Sequence, residues 1–212
     1  MVLGRTAAYL GGVLLSAATG LISGLTLIIA IGSQNAFVLR QGLHRSHIIL
    51  VVAVCSLSDA VLIVLGVGGL GAAIERAPVL LEVVRWAGAA FLMGYAVLAA
   101  VRALKGEQLD VADGRGRGSW QAALGTCLAL TWLNPHVYLD TVLLLGSLAS
   151  THGTPGKWWF AVGAVLGSIL WFTALGVGAR YLTPLFKRRN AWRVLDAGIA
   201  VVMVALALSL VI

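Results

Sequence analysis

The chain has 212 residues, 60% hydrophobic and only 11% charged, with mean hydropathy +0.97. A soluble domain carries about 25% charged residues, so this composition excludes a water-facing globule and leaves lipid as the solvent. The net charge of +7 does not point to nucleic acid, because Lys and Arg lie between long apolar runs, where short basic loops mark membrane topology instead.

Six apolar spans follow one another at 8–39, 46–70, 78–101, 119–148, 157–179 and 190–212. The first begins like a signal peptide, with Arg5 ahead of an apolar run and Ser16-Ala17-Ala18 as an apparent cleavage site. No polar mature domain follows, so we read it as a span. It also carries Gly12, Ser16, Gly20 and Gly24 at intervals of four, a spacing that lets helices approach closely. Packing within the fold is the expected use, and a homodimer seam the alternative.

The first and fourth spans are too long for one straight crossing. A 30-residue helix is about 45 Å long against a hydrocarbon core of ~30 Å. Each carries a polar break: Gly32-Ser33-Gln34-Asn35 in the first and Asn134-Pro135 in the fourth. Pro135 has no N–H, so the carbonyl of Thr131 loses its helical donor and needs another partner or a wet cavity. A simple proline kink is the alternative reading. Between the third and fourth spans, residues 104–118 are polar, charged and glycine-rich, the composition of an aqueous linker. They separate a first repeat, 1–103, from a second, 119–212.

The repeats are visible as alignments. At a shift of 110, Leu65-Gly66-Val67-Gly68 falls on Leu175-Gly176-Val177-Gly178, Ser58 on Ser168, and Ala87-Gly88 on Ala197-Gly198. At a shift of 99, Asn35 falls on Asn134. Three spans per repeat force opposite insertion of the two copies. The expected fold is therefore an all-α integral membrane protein of six transmembrane helices, built as two inverted three-helix repeats with helices one and four broken, a design that recurs in secondary transporters. Lys and Arg number eleven in the loops after spans one, three and five and four on the other side. The positive-inside rule then places those loops in the cytoplasm and both termini outside. Trp86, Trp120, Trp158, Trp159 and Trp192 fall near span ends, as an interfacial belt would.

Asp59 in span two and Asp140 in span four are the candidate chemistry. A carboxylate at mid-bilayer costs several kcal/mol and is kept for a cavity or a partner. The alternative is a packing ion pair, with Arg85 as partner to Asp59. Gln34 and Asn35 offer amides at the place matching Asn134. Carboxylates and freed carbonyls suit a cation, and half-helix N-termini suit a carboxylate, so a zwitterion with an extra positive charge would use both. Trp132 and Trp171 could stack on a guanidinium or simply fill the core. His136 could relay protons or be a satisfied buried histidine. Asp196 reads as structural, paired with Arg193 or the membrane surface. Cys55 and Cys127 read as small core residues, not as a disulfide. No phosphate loop, metal cluster or nucleophile–base set supports an enzyme or a cofactor.

The segment Gly32-Ser33-Gln34-Asn35-Ala36-Phe37-Val38 with Arg40-Gln41-Gly42, the segment Ser56-Leu57-Ser58-Asp59, and the run Leu130-Thr131-Trp132-Leu133-Asn134-Pro135-His136-Val137-Tyr138-Leu139-Asp140 resemble the signatures of the lysine/arginine exporter family. The resemblance covers nearly the whole chain. It departs at Ser33, where the family reads proline, which removes the strongest helix breaker there. It implies a multi-pass protein of a bacterial cytoplasmic membrane that exports L-arginine, L-lysine or toxic analogues. The candidate substrate-binding residues are Gln34, Asn35, Asp59, Trp132, Asn134, Tyr138 and Asp140; of these the resemblance matches Asp59 and Asp140 to the family's intramembrane acidic positions and Asn35 and Asn134 to its motif asparagines. Gly32, Ser33 and Pro135 would break the helices, and Asp59, Asp140 and His136 would carry protons. Two other readings stay open: export of a neutral amino acid or other small solute, and a thiol–disulfide electron conduit through Cys55 and Cys127.

Overall fold

The computed structural model describes residues 2–29, 32–71, 76, 78–105, 119–187 and 189–212. Most of the polar linker, with Arg115 and Arg117, lies outside the described residues. Among those described, the regular structure is helical throughout and contains no strand. Helix α1 is Val2–Ile29, α2 Ser33–His44, α3 Ile48–Leu65 and α4 Pro78–Lys105. Then come α5 Trp120–Trp132, α6 Pro135–Val137, α7 Leu145–Ser150, α8 Gly153–Gly178 and α9 Arg189–Val211. π-Helical stretches extend α3 over Gly66–Leu70 and join α6 to α7 over Tyr138–Leu144, and a 3-10 stretch, Ala179–Lys187, follows α8.

Among the described residues, five helical stretches are long and apolar enough to cross a bilayer: Tyr9–Ile29, Ile48–Leu70, Leu81–Lys105, Gly153–Phe186 and Asn190–Val211. The fourth apolar segment is divided at Leu133-Asn134 into α5 and a composite of α6, π-helix and α7. The first segment is divided too, without proline. Gly32 takes an extended conformation (φ −127°, ψ 167°) and α2 restarts at Ser33. The tail of α2 is closed by Arg45 in the left-handed region (φ 54°), and the Arg45 and Ser46 amides donate to Gly42 and Gln41. Ser119 caps α5 by accepting the Ala122 amide at 3.1 Å, so a hydroxyl takes up one of the four orphan donors of that helix end.

The chain forms two compact units, each drawing on both halves of the sequence. The first comprises Met1–Ala30, Ser56–Pro78 and His136–Trp171; the second comprises Ile31–Cys55, Val79–Pro135 and Phe172–Ile212. In the first, α1 packs on α8 backbone to backbone. A side chain at Gly20 would strike the Phe160 carbonyl, one at Gly24 would crowd Ala164, and one at Gly163 would strike the Ala17 carbonyl. Most of the small-residue stripe is thus spent inside the fold, while Gly12 meets nothing. Beside it, Ile63, Val67, Leu145, Ala149, Phe160 and Ala164 form the core. Gly66 and Gly146 let the two π-helical stretches and α7 close on one another.

In the second unit α2 packs against α5, α9 and the 3-10 stretch. Its core includes Leu43, Ala179 and Trp192, with Leu39, Phe186 and Leu195 around them. Trp192 therefore departs from the expected interfacial belt. It is 9% exposed and stacks on His44 at 4.4 Å between ring centroids. Trp86, Trp120, Trp158 and Trp159 remain exposed, as do Leu14, Val79 and Val194. Lipid tails cover such apolar surface without penalty.

Candidate functional site

The expected site residues divide between the units. Gln34, Asn35, Trp132 and Asn134 belong to the second, and Asp59, His136, Tyr138 and Asp140 to the first. In the second unit α2, which begins with Ser33-Gln34-Asn35, packs against α5, which ends at Trp132. Ser33 Oγ and Gln34 Nε2 are buried there without a hydrogen-bond partner among the described residues. A buried polar atom left unpaired costs about 1–3 kcal/mol.

At the second break the outcome differs from the expectation for Thr131. Its carbonyl does not need a remote partner, because the Asn134 amide turns back to it at 3.4 Å while the Leu133 amide reaches Ala129 at 3.0 Å. The helix tightens its last turn and so satisfies itself before Pro135. Gly88 of α4 lies against the Leu133 carbonyl so closely that no side chain fits there. Trp132 and Asn134 are half-buried.

In the first unit Asp59 is 4% exposed and accepts a hydrogen bond from Ser168 Oγ at 2.7 Å. Arg85, the partner in the alternative reading of a packing ion pair, is engaged elsewhere. It donates to the backbone carbonyls of Leu210 and Val211 and lies 3.5 Å from Glu82. Asp140 sits on the π-helical stretch and is exposed, His136 and Tyr138 are half-buried, and His136 interacts electrostatically with Asp140. π-Helical turns recur at functional sites because they re-aim side chains at the cost of one regular bond. Trp171 is half-buried.

Two arrangements were not foreseen. Cys55 and Cys127 are free thiols, fully buried, with their sulfurs 3.0 Å apart. They are core residues, as expected, but they touch. The other is an ion-pair triad in the second unit. Asp196, with its side chain 6% exposed, accepts from Arg40 Nε at 3.0 Å and from Arg102 Nε at 3.4 Å. Arg193 instead donates to the Ala103 carbonyl. The two arginines open onto a cavity of about 650 Å³ lined also by Phe37, Gln41, His44, Phe91, Tyr95 and Thr126. Burial, together with Arg40 and Arg102, pushes the His44 pKa down to about 3, so it is neutral at physiological pH. In the sequence Arg40 and Arg102 stand out only as topology charges. The Arg40-Gln41-Gly42 motif was the one available signal.

The LysE type translocator family model matches residues 25–212. The chain is 45% identical, over 89% of its length and 92% of the relative's, to proteins named provisionally as amino-acid transporters in Mycobacterium tuberculosis and Mycobacterium bovis. It is 36% identical to a lysine exporter of Corynebacterium efficiens, over 92% of this chain and 97% of that one. No solved structure matches it. The matched residues include both helix breaks, Asp59 and Asp140, and the chain belongs to the LysE type translocators, multi-pass membrane proteins that move solutes and are not enzymes.

Proposed function

We propose that this protein exports a cationic amino acid, L-arginine or L-lysine, across the cytoplasmic membrane. The observation that carries the reading is Asp59, a membrane carboxylate 4% exposed whose partner is a neutral hydroxyl. A charge so placed is costly unless a counter-charge joins it. A substrate cation or a proton supplies one, and the relation to a lysine exporter favours a cationic side chain.

Moving one positive charge out against an inside-negative potential costs about 2.3 kcal/mol per 100 mV. Exchange for a proton removes that cost by making the cycle electroneutral. In this mechanism Asp59 and Asp140 alternate between proton and substrate, His136 hands protons to Asp140, and the breaks at Gly32-Ser33 and Asn134-Pro135 hold the amino and carboxylate groups. Gln34, Asn35 and Asn134 supply the amides, with Trp132 and Tyr138 flanking the side chain. The two halves act as inverted repeats, with six crossings and both termini outside.

Efflux of labelled L-arginine and L-lysine from cells lacking their own exporters tests this directly. Wild type is expected to export at least one of them, and Asp59→Asn and Asp140→Asn to lose export at equal membrane abundance. Wild-type protein that exports neither would refute the substrate class, and counterflow indifferent to a collapsed pH gradient would refute proton exchange. A second reading, export of a neutral amino acid, is favoured by the cavity around Arg40 and Arg102, whose lining holds no carboxylate among the described residues.

A further inference from the structure

We infer that the cavity of the second unit is a carboxylate site, which receives the α-carboxylate of the transported amino acid on the cytoplasmic side before it reaches the helix break. That the carboxylate belongs to the transported solute rests on the exporter reading; the cavity's preference for a carboxylate does not.

The charge balance comes first. Arg40 and Arg102 share the single carboxylate of Asp196, so the triad keeps one net positive charge, and among the described residues no Asp or Glu lines the cavity. A lone carboxylate brings the balance to zero. Hydrogen bonding points the same way. Asp196 occupies the Nε of each guanidinium, while Arg102 Nη2 is buried without a partner among the described residues. His44 Nε2, of another residue lining the cavity, is likewise buried without a partner among the described residues. Two unmet nitrogens beside a cationic wall match the two oxygens of a carboxylate, and charge-assisted bonds from arginine are about twice as strong as neutral ones.

The wall is also held in place before any ligand arrives. Arg102 lies 5.5 Å from the centre of the Tyr95 ring, and His44 is stacked on Trp192. Side chains fixed in this way lose little freedom on binding. The volume of about 650 Å³ falls within the ~300–1,000 Å³ range of small-molecule sites. Phe37, Phe91 and Leu98 supply apolar surface for a side chain. Finally, α2 joins the cavity to the break. Gln34 stands near its start and Arg40, Gln41 and His44 toward its end, about 15 Å along the helix at 1.5 Å per residue. A solute bound first at Arg102 and next at Gln34 would move along one helix.

The test uses the full chain in lipid nanodiscs with Thr126→Cys, a half-buried position on the cavity wall. The two native thiols are fully buried and serve as the unlabelled background. Modification by an anionic methanethiosulfonate is expected to outpace that by a cationic one by about five-fold or more. L-Arginine, L-lysine and L-leucine are each expected to slow it about ten-fold. Their decarboxylated counterparts agmatine, cadaverine and isoamylamine are expected to leave it unchanged. Arg102→Gln and Arg102→Lys, each checked for a monodisperse elution profile, are both expected to abolish protection, while the lysine variant keeps the preference for the anionic reagent. Amines that protect as well as the amino acids would overturn the inference. So would protection by inorganic phosphate alone, protection by no carboxylate, or a cysteine that neither reagent reaches. Equal protection by leucine and arginine, with the amines inert, upholds the carboxylate site while removing its support for a cationic substrate, so the two readings fail separately.

Discussion

Replacing Asp196 by asparagine tests whether the triad organises the second unit. The substitution keeps the shape and removes the charge that Arg40 and Arg102 share at 3.0 and 3.4 Å. Removing one member of a buried ion pair costs about 3–5 kcal/mol, because the remaining charge is left without compensation. Here two guanidiniums remain, but their side chains are 18% and 20% exposed, so water in the cavity shields them in part. The expected loss is therefore at the low end, about 3 kcal/mol. Reversible unfolding in mixed micelles, titrated with a denaturing detergent and followed by circular dichroism, reads this loss. Removing Arg102 as well leaves Arg40 alone, so Asp196→Asn with Arg102→Gln is expected to recover about 1–2 kcal/mol relative to the sum of the single changes, within the usual range for contacting residues. A single-variant loss under about 1 kcal/mol, or strict additivity in the double variant, would refute the argument.

Three further outcomes follow from the geometry. Ser168→Ala removes the hydroxyl that donates to Asp59 at 2.7 Å and is expected to cost about 2 kcal/mol in the same unfolding assay, as for a buried bond to a charged acceptor. Gly88→Val places a side chain against the Leu133 carbonyl and is expected to cost about 1–3 kcal/mol by overpacking, whereas Gly94→Val, at a position where an added Cβ meets nothing within 4 Å, is expected to show little loss beyond helix propensity. His44 has a folded pKa of about 3 against an ordinary 6.5, so the unfolded chain takes up a proton that the folded one refuses. Stability is full above pH 6.5 and falls as pH drops from there toward 3, by at most about 1.4 kcal/mol per pH unit; His44→Phe is expected to flatten that slope, and an unchanged slope between pH 7 and pH 5 would show that His44 does not cause it.

Much of the fold was legible because its signals are local. Apolar run length places the helices, and Gly32 and Asn134-Pro135 announce their breaks without any knowledge of neighbours. Ser33 in place of proline did not mend the first break, since Gly32 takes the extended conformation and the helix restarts at Ser33. The spacing of Ser16, Gly20 and Gly24 revealed a close-packed face, though not that α8 covers it. What stayed hidden is non-local. Asp196 meets partners 156 and 94 residues away, and nothing near Asp196 in sequence distinguishes them from Arg193. Trp192 stands near a span end like the belt tryptophans, yet stacking on His44 draws it into the core. The Asn134 amide rescues the Thr131 carbonyl, a tightening of the last turn that a proline forces but does not spell out.

The three carboxylates described here separate by their partners rather than by their depth. Asp196 faces two guanidiniums, and its charge is already spent on holding α2, α4 and α9 together. Asp59 is as deeply buried but faces a hydroxyl, which orients an oxygen without balancing its charge. Asp140 is exposed on a π-helical stretch beside His136, where its charge can answer whatever passes. Substitution should follow the same division. Loss of Asp196 is expected first to lower the amount of folded protein. Neutral replacement at Asp59 removes no cation's partner, and at Asp140 it removes only an exposed interaction with His136, so the folded protein is expected to persist while export fails. Transport per folded molecule is the quantity that distinguishes them: lowered in part for Asp196→Asn, whose arginines still line the cavity, and lost for the other two. Full loss in Asp196→Asn with export kept in the other two would make Asp59 a packing residue.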